Sequence, residues 1–240
     1  KILAKKLNQK NVLLTDSCTS SLEIAALLIK DNKKNEIILP SFTFPSTANA
    51  FLKSGFNLVF ADSLKDDLMI DPNDISKKIT PRTKAIVVVH LGGANADLIN
   101  IQKICKKNNI LLIEDAAQSY GSNYNSKNLG TFGDIGCFSF HETKNIHAGL
   151  AGAIFIKNKY LYKRALSIRD RGTNRHLLVK KKIKNYSWVE IGGSYYPTEL
   201  QAAFLYSQLK NIAVNIKKRG VLFKCYEKYL GQLKQNKAFY

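Results

Sequence analysis

"KAIVVVHLGGANADLINIQKICKKNNILLIEDAAQ", Lys84 to Gln118, decides the fold. It opens on a short run rich in β-branched residues, "KAIVVVH" (84–90). A helical pattern follows over Asp97–Asn108, and a second apolar run, "ILLIED" (110–115), closes it. Strands buried on both faces read as continuous apolar runs of this kind. Two such strands joined through a helix pair in parallel, because a parallel pair needs a long crossover.

The same alternation extends outward. Strand-like runs recur at "EIILP" (36–40), "NLVFAD" (57–62), "GCFSF" (136–140) and "GAIFI" (152–156). Helical patterns cover Thr19–Lys30, Thr47–Lys53 and 159–170, and a long one starts at Thr198, where Thr198 and Glu199 give an N-terminal signal. The segment "RDRGTNRHLLVKKKIKNYSW" (169–188) reads as a basic loop. The pattern predicts an α/β fold with a mainly parallel sheet covered on both faces. The chain begins and ends inside helical patterns, the last at "KQNKAFY", and does not start with Met. It is expected to be a piece of a longer protein.

Composition narrows the function classes. With 45% hydrophobic residues, the 240-residue chain has an ordinary globular make-up rather than a disordered one. The net charge of +19 raises the question of nucleic acid or an anionic membrane. The basic residues are mostly Lys scattered among Asn and Ile, however, with only six Arg among the 37, whereas bidentate phosphate and base reading favours Arg. A diffuse basic surface is therefore expected, with no nucleic-acid or membrane partner. The four cysteines form no C-x-x-C pair, which points away from a disulfide framework and toward a cytoplasmic location. His90, His141, His147 and His176 have no metal-like pairing, so no metal is expected. No G-x-G-x-x-G follows a strand, and there is no Walker A pattern.

In open α/β sheets, ligands bind outside the carboxyl ends of the strands. Three such ends carry chemistry. The turn "DSCTSS" opens a helix, where free N–H groups and the helix dipole favour an anion, although Ser17 or Thr19 could serve simply as a cap. Asp115 closes an apolar run, where a carboxylate needs a partner such as a salt bridge, a helix cap or a cationic ring nitrogen. A charge pair about 4 Å apart gains roughly 4 kcal/mol at an effective dielectric of about 20, before desolvation. Lys144 follows "GCFSF"; alone it reads as an exposed loop lysine, but a lysine that loses its charge forms Schiff bases. Together the three match the needs of pyridoxal phosphate: anchor, ring-nitrogen partner and amine.

"LPSFTFPSTANAF", "LLIEDAAQSYGS", "GTFGDIGCFSFHETKN" and "IGGSYYPTELQAA" resemble the DegT/StrS family of pyridoxal-phosphate sugar aminotransferases, over about Val12 to Lys228. The resemblance implies the aspartate aminotransferase type I fold. Residues 1–210 would form the large cofactor-binding domain, and 211–240 would begin the connection to a small C-terminal domain that is mostly missing. It implies that Lys144 forms the Schiff base, Asp115 faces the pyridine nitrogen, Gln118 meets the ring hydroxyl and Phe44 stacks on the ring. Cys18, Thr19 and Ser20 would cradle the phosphate with help from Ser139. The loop Gly192–Glu199 would reach into a neighbouring subunit, which implies a homodimer with shared sites.

The implied activity is amino transfer, from glutamate, to a nucleotide-linked keto sugar, with TDP-4-keto-6-deoxyglucose as the expected acceptor. It would serve nucleotide-sugar and surface-polysaccharide biosynthesis. The alternatives are a sugar dehydratase of the same fold, in some of which histidine replaces the lysine, and a catalytically inactive basic binding fragment. Three departures from the family stand out. "GLAGA" (149–153) replaces a glycine-rich stretch, so Leu150 and Ala151 are expected to crowd the site. Tyr196 stands where many members have Asn. The N-terminal segment and most of the small domain are absent, so weak cofactor binding and little sugar amination are expected of this chain.

Overall fold

The computed structural model describes residues 1–65 and 67–235. In chain order the elements are α1 (Ile2–Lys6), β1 (Val12–Thr15), α2 (Cys18–Ile29), β2 (Glu36–Pro40), α3 (Pro45–Lys53), β3 (Asn57–Ala61) and α4 (Pro72–Lys78). Then come β4 (Thr83–Val89), α5 (Leu98–Asn108), β5 (Leu111–Ala116), the hairpin β6 (Asn123–Tyr124) and β7 (Lys127–Asn128), β8 (Ile135–Ser139) and β9 (Gly152–Ile156). The chain continues through α6 (Lys159–Arg169), α7 (Arg175–Val179), α8 (Glu199–Lys210) and α9 (Ile212–Gln235).

Seven strands form one sheet in the order β1-β9-β8-β5-β4-β2-β3. The pairs from β8 through β5, β4 and β2 to β3 are parallel, and β9 runs antiparallel to both its neighbours. The carboxyl ends of β4, β5 and β8 therefore open on one edge of the sheet. β1 runs in the same sense and delivers the turn before α2 to that edge.

The side-chain period of two splits each central strand between two cores. Ile37 and Leu39 of β2, with Ala85 and Val87 of β4, pack with α2, α3 and α6. Ile38, Ile86 and Val88 face the opposite layer with α4 and α5, while Phe138, Ala153 and Phe155 meet α1 and α8. Nine of the twelve residues of α2 are buried, so it is apolar almost all round and packs deep in its layer.

The predicted strands at 36–40 and 152–156 have the observed bounds, the one at 57–62 ends one residue earlier, and those at 84–90, 110–115 and 136–140 are displaced by one residue at both ends. Asp115 lies inside β5 rather than beyond it, paired with Cys137 of β8. The basic loop 169–188 contains a short helix, α7. The helix α4 and the β6–β7 hairpin were not expected, because each is too short to show a period. Residues 236–240 of the expected helical end lie outside the described residues. Asn211 interrupts the last helical stretch between α8 and α9. None of the described helices is long and apolar enough to cross a membrane.

Candidate active site

A cavity of about 330 Å³ lies over the carboxyl ends of β4, β5 and β8. Its volume falls in the range that holds a small cofactor. Cys18, Thr19, Phe44, Asp115, Gln118, Ser139 and Lys144 all line it, although they are spread over more than half the chain. Ser20 does not line it. Its side chain is buried and meets the Ser17 hydroxyl at 3.0 Å, and its N–H donates to Ser17 Oγ at 3.0 Å. Ser17 is the N-cap of α2, so the capping reading and the anion reading both hold, on different residues of one turn. The N–H groups of Cys18 and Thr19 belong to the first turn of α2, which has no intrahelical acceptors for them.

Two further residues shape this end of the cavity. Thr19 Oγ1 donates to Ser46 Oγ at 3.0 Å and ties the start of α2 to the start of α3. Gly152, the first residue of β9, passes so close that an added Cβ would stand 2.3 Å from the Ser17 carbonyl carbon and 2.5 Å from Cys18 N. The required glycine of "GLAGA" is therefore retained. Of the two residues expected to crowd the site, Leu150 lines the cavity and Ala151 does not. Ala151 packs into the core beneath, and Leu150 sits half-exposed at the mouth, its carbonyl accepting from the Gln201 side chain.

Asp115 is buried against α3. Its Oδ2 accepts from Thr47 Oγ1 at 2.7 Å and its Oδ1 from Ala117 N at 3.1 Å. Burial pushes its carboxyl up from the ordinary value, and the Thr47 hydroxyl, the Ala117 N–H and the nearby charge of Lys144 oppose that shift. Two buried thiols flank it, Cys18 and Cys137, both pushed well up by burial and then by the Asp115 charge. Cys18 therefore stays a neutral thiol beside the anion turn and does not repel a phosphate. Sequence reasoning missed Thr47 as the partner of Asp115, and the only signal for it was the run of hydroxyls in "SFTFPST".

Lys144 is half-buried in a turn closed by its N–H to the His141 carbonyl at 2.9 Å. It borders both the first cavity and an adjoining one of about 320 Å³, which shares Gln118, Ser139 and Thr143. Gln118 Oε1 accepts from Gly92 N at 2.6 Å, leaving its amide N–H groups to donate. Phe44 is 72% exposed and lies over the opening with a free ring face. A donor turn, a buried carboxylate, an amine and an uncovered aromatic face suit a phosphorylated heteroaromatic aldehyde. The donor set fits pyridoxal phosphate.

The loop Gly192–Glu199 is tied to its own chain at its start. Gly193 N donates to the Ile168 carbonyl at 3.0 Å and Asp16 N to the Tyr195 carbonyl at 3.1 Å. The Tyr196 ring lies under the Arg169 guanidinium, 4.0 Å from its carbon, which gives this departure from the family a local use.

Residues 1–239 match the DegT/DnrJ/EryC1/StrS aminotransferase family. The chain is 34% identical to the GDP-perosamine synthase of Escherichia coli O157:H7 over 217 residues, which cover 90% of this chain and 58% of that one. Its structure is similar to Helicobacter pylori PseC, an aminotransferase involved in the biosynthesis of pseudoaminic acid. The TM-score is 0.88 at 32% identity, covering 94% of this chain and 60% of that one. It is also similar to NtdA of Bacillus subtilis, solved with bound cofactor PMP. There the TM-score is 0.87 at 31% identity, covering 98% of this chain and 52% of that one. The chain thus spans little more than half the length of these relatives.

Proposed function

The chain belongs to the DegT/DnrJ/EryC1/StrS aminotransferase family, and on that premise we propose that its type I fold carries amino transfer to a nucleotide-linked keto sugar. The observation that supports this reading is the convergence of Lys144, Asp115 and the first turn of α2 on one cavity. Pyridoxal phosphate is the cofactor, and when bound it supplies an aldehyde that takes up an amino group and a ring that accepts electrons from the adjoining carbon.

In this reading the residues divide the work. The N–H groups of Cys18 and Thr19, with Ser139, would hold the phosphate. Gln118 would donate to the ring hydroxyl, and Phe44 would cover one ring face. The Asp115 carboxylate, oriented by Thr47, would hold a proton at the pyridine nitrogen. The Lys144 amine would bind the aldehyde carbon at rest and, once displaced, take a proton from the α-carbon of the amino donor. A base so positioned contributes about 10²–10⁴ in rate. The second cavity beside Lys144 leaves room for a substrate next to that amine.

The proposed donor is glutamate. The expected acceptor is TDP-4-keto-6-deoxyglucose, in the service of surface-polysaccharide biosynthesis. A same-fold dehydratase is less favoured because Lys144 is present. Unpaired cysteines suit a reducing cytoplasm. The exposed Trp188, Val189 and Ile191 beside the Gly192 loop suit burial in a homodimer. The proposed domain division, 1–210 and 211–240, is supported by the break at Asn211 and by the exposure of α9. The test is incubation of the complete gene product that carries this chain with pyridoxal phosphate, glutamate and the TDP-, UDP- and GDP-linked keto sugars, followed by mass analysis. An aminated sugar from one nucleotide series identifies the acceptor, and no aminated product from any of them rejects the reading.

A further inference from the structure

Glu114 stands next to Asp115 on β5, and the period of two turns its side chain to the opposite face of the sheet. It is fully buried, and so is His90. Four N–H groups converge on its carboxylate. Oε2 accepts from His90 Nε2 and from Gly130 N, each at 2.8 Å, and Oε1 accepts from Phe132 N and Gly133 N, each at 2.6 Å. His90 Nδ1 accepts from Ala96 N at 3.4 Å, so its ring proton sits on Nε2 and is donated to Glu114. The His90 backbone N–H donates to the Asp115 carbonyl at 3.1 Å.

One carboxylate thus joins three segments, and each leads to a side chain lining the cavity. The loop after β4 carries Gly92, whose N–H orients Gln118. β5 carries Asp115. The turn 130–133 leads into β8, which delivers Ser139 and then Lys144. A buried charge with its polar partners is seldom more stabilising than apolar residues of the same volume, so stability alone does not account for this arrangement.

We propose that Glu114 and His90 are positioning residues, which set Asp115, Gln118 and Lys144 at their mutual distances without touching the cofactor. This rests on the reading that the cavity takes pyridoxal phosphate. The N–H groups of Cys18 and Thr19 hang on β1 and α2, outside this network, so of the proposed phosphate contacts it reaches only Ser139, and that difference supplies the test.

The unaltered chain, Glu114→Gln, His90→Phe and His90→Gln are compared by melting, by titration with pyridoxal phosphate and by titration with inorganic phosphate alone. Glutamine at 90 keeps an N–H donor and phenylalanine does not. Loss of one hydrogen bond to a charged group is worth about tenfold in affinity, so Glu114→Gln and His90→Phe should bind pyridoxal phosphate about 10-fold more weakly. His90→Gln should recover most of the loss, and phosphate affinity, carried mainly by the Cys18 and Thr19 N–H groups, should fall much less than pyridoxal phosphate affinity. Unchanged pyridoxal phosphate affinity in the folded variants, equal loss of both ligands, or no recovery in His90→Gln would overturn the inference alone. If Glu114→Gln does not fold, the two His90 variants decide it. No pyridoxal phosphate binding by the unaltered chain would overturn the cavity reading and this inference with it.

Discussion

Thr47 Oγ1 donates to Asp115 Oδ2 at 2.7 Å, across 68 positions of sequence. Because Thr47 gives its proton to the carboxylate, the Thr43 hydroxyl, 2.8 Å away, donates to Thr47. A short relay of oriented hydroxyls thus runs from the start of α3 to the carboxylate. Thr47→Val keeps the shape and removes the donor. A buried acceptor left short of a partner costs about 1–3 kcal/mol. Transamination is expected to fall about tenfold or more, since 1.4 kcal/mol is tenfold in rate, while Thr47→Ser stays near the unaltered rate. Steady-state turnover of the two variants decides the point.

Asp115 also sets a pH dependence. Burial holds its carboxyl above the ordinary value of 3.8, so the folded chain keeps that proton to higher pH than the unfolded chain does. The native state then binds more protons in that window, and stability falls as pH rises through it. Asp115→Asn removes the term. The cofactor-free variant should melt higher than the unaltered protein at neutral pH. The gap should close as the pH is lowered toward the ordinary carboxylate value. A variant that melts lower than the unaltered chain at neutral pH would contradict this. Turnover should be mostly lost in the same variant.

Gly152 is predicted to be the sensitive position of the "GLAGA" stretch. An alanine methyl there meets the Ser17 carbonyl carbon at 2.3 Å and Cys18 N at 2.5 Å, and backbone at a helix start has little room to yield. Gly152→Ala should cost about 1–3 kcal/mol of stability and weaken phosphate binding. Leu150→Gly and Ala151→Gly should leave phosphate affinity unchanged. Melting curves and phosphate titrations of the three variants separate these outcomes.

Lys144 is predicted to be the covalent attachment point. Borohydride reduction of the cofactor-loaded protein should fix a pyridoxyl group on Lys144, located by peptide mass analysis. Label on other lysines with none on Lys144 would remove it from the proposed role.

Part of this was legible in the residues themselves. The continuous apolar runs at 36–40, 84–90 and 110–115 specify strands buried on both faces, because only a covered sheet hides both sides of a strand. Asp115 and Lys144 stand out as polar groups at and just after the ends of such strands, while Gln118 was marked only by the family resemblance. Covered strands with helical crossovers also imply the parallel order that brings those ends together.

Other features depended on the packed chain. The antiparallel course of β9 brings Gly152 onto Ser17, a contact 135 positions apart that no local pattern marks. The sequence suggested Ser20 for the phosphate, but capping of α2 by Ser17 turns Ser20 into the core, because a helix places successive side chains on different faces. The sequence also marked Asp115 and left Thr47 and Glu114 unremarked. A hydroxyl at a helix start and an acidic residue in a strand gain their meaning only from what packs against them. Local periodicity determined which segments are strands and which are helices. Partners for buried polar groups were decided only when distant segments closed around them, since the cost of an unmatched polar group is set by its surroundings and not by its neighbours in sequence.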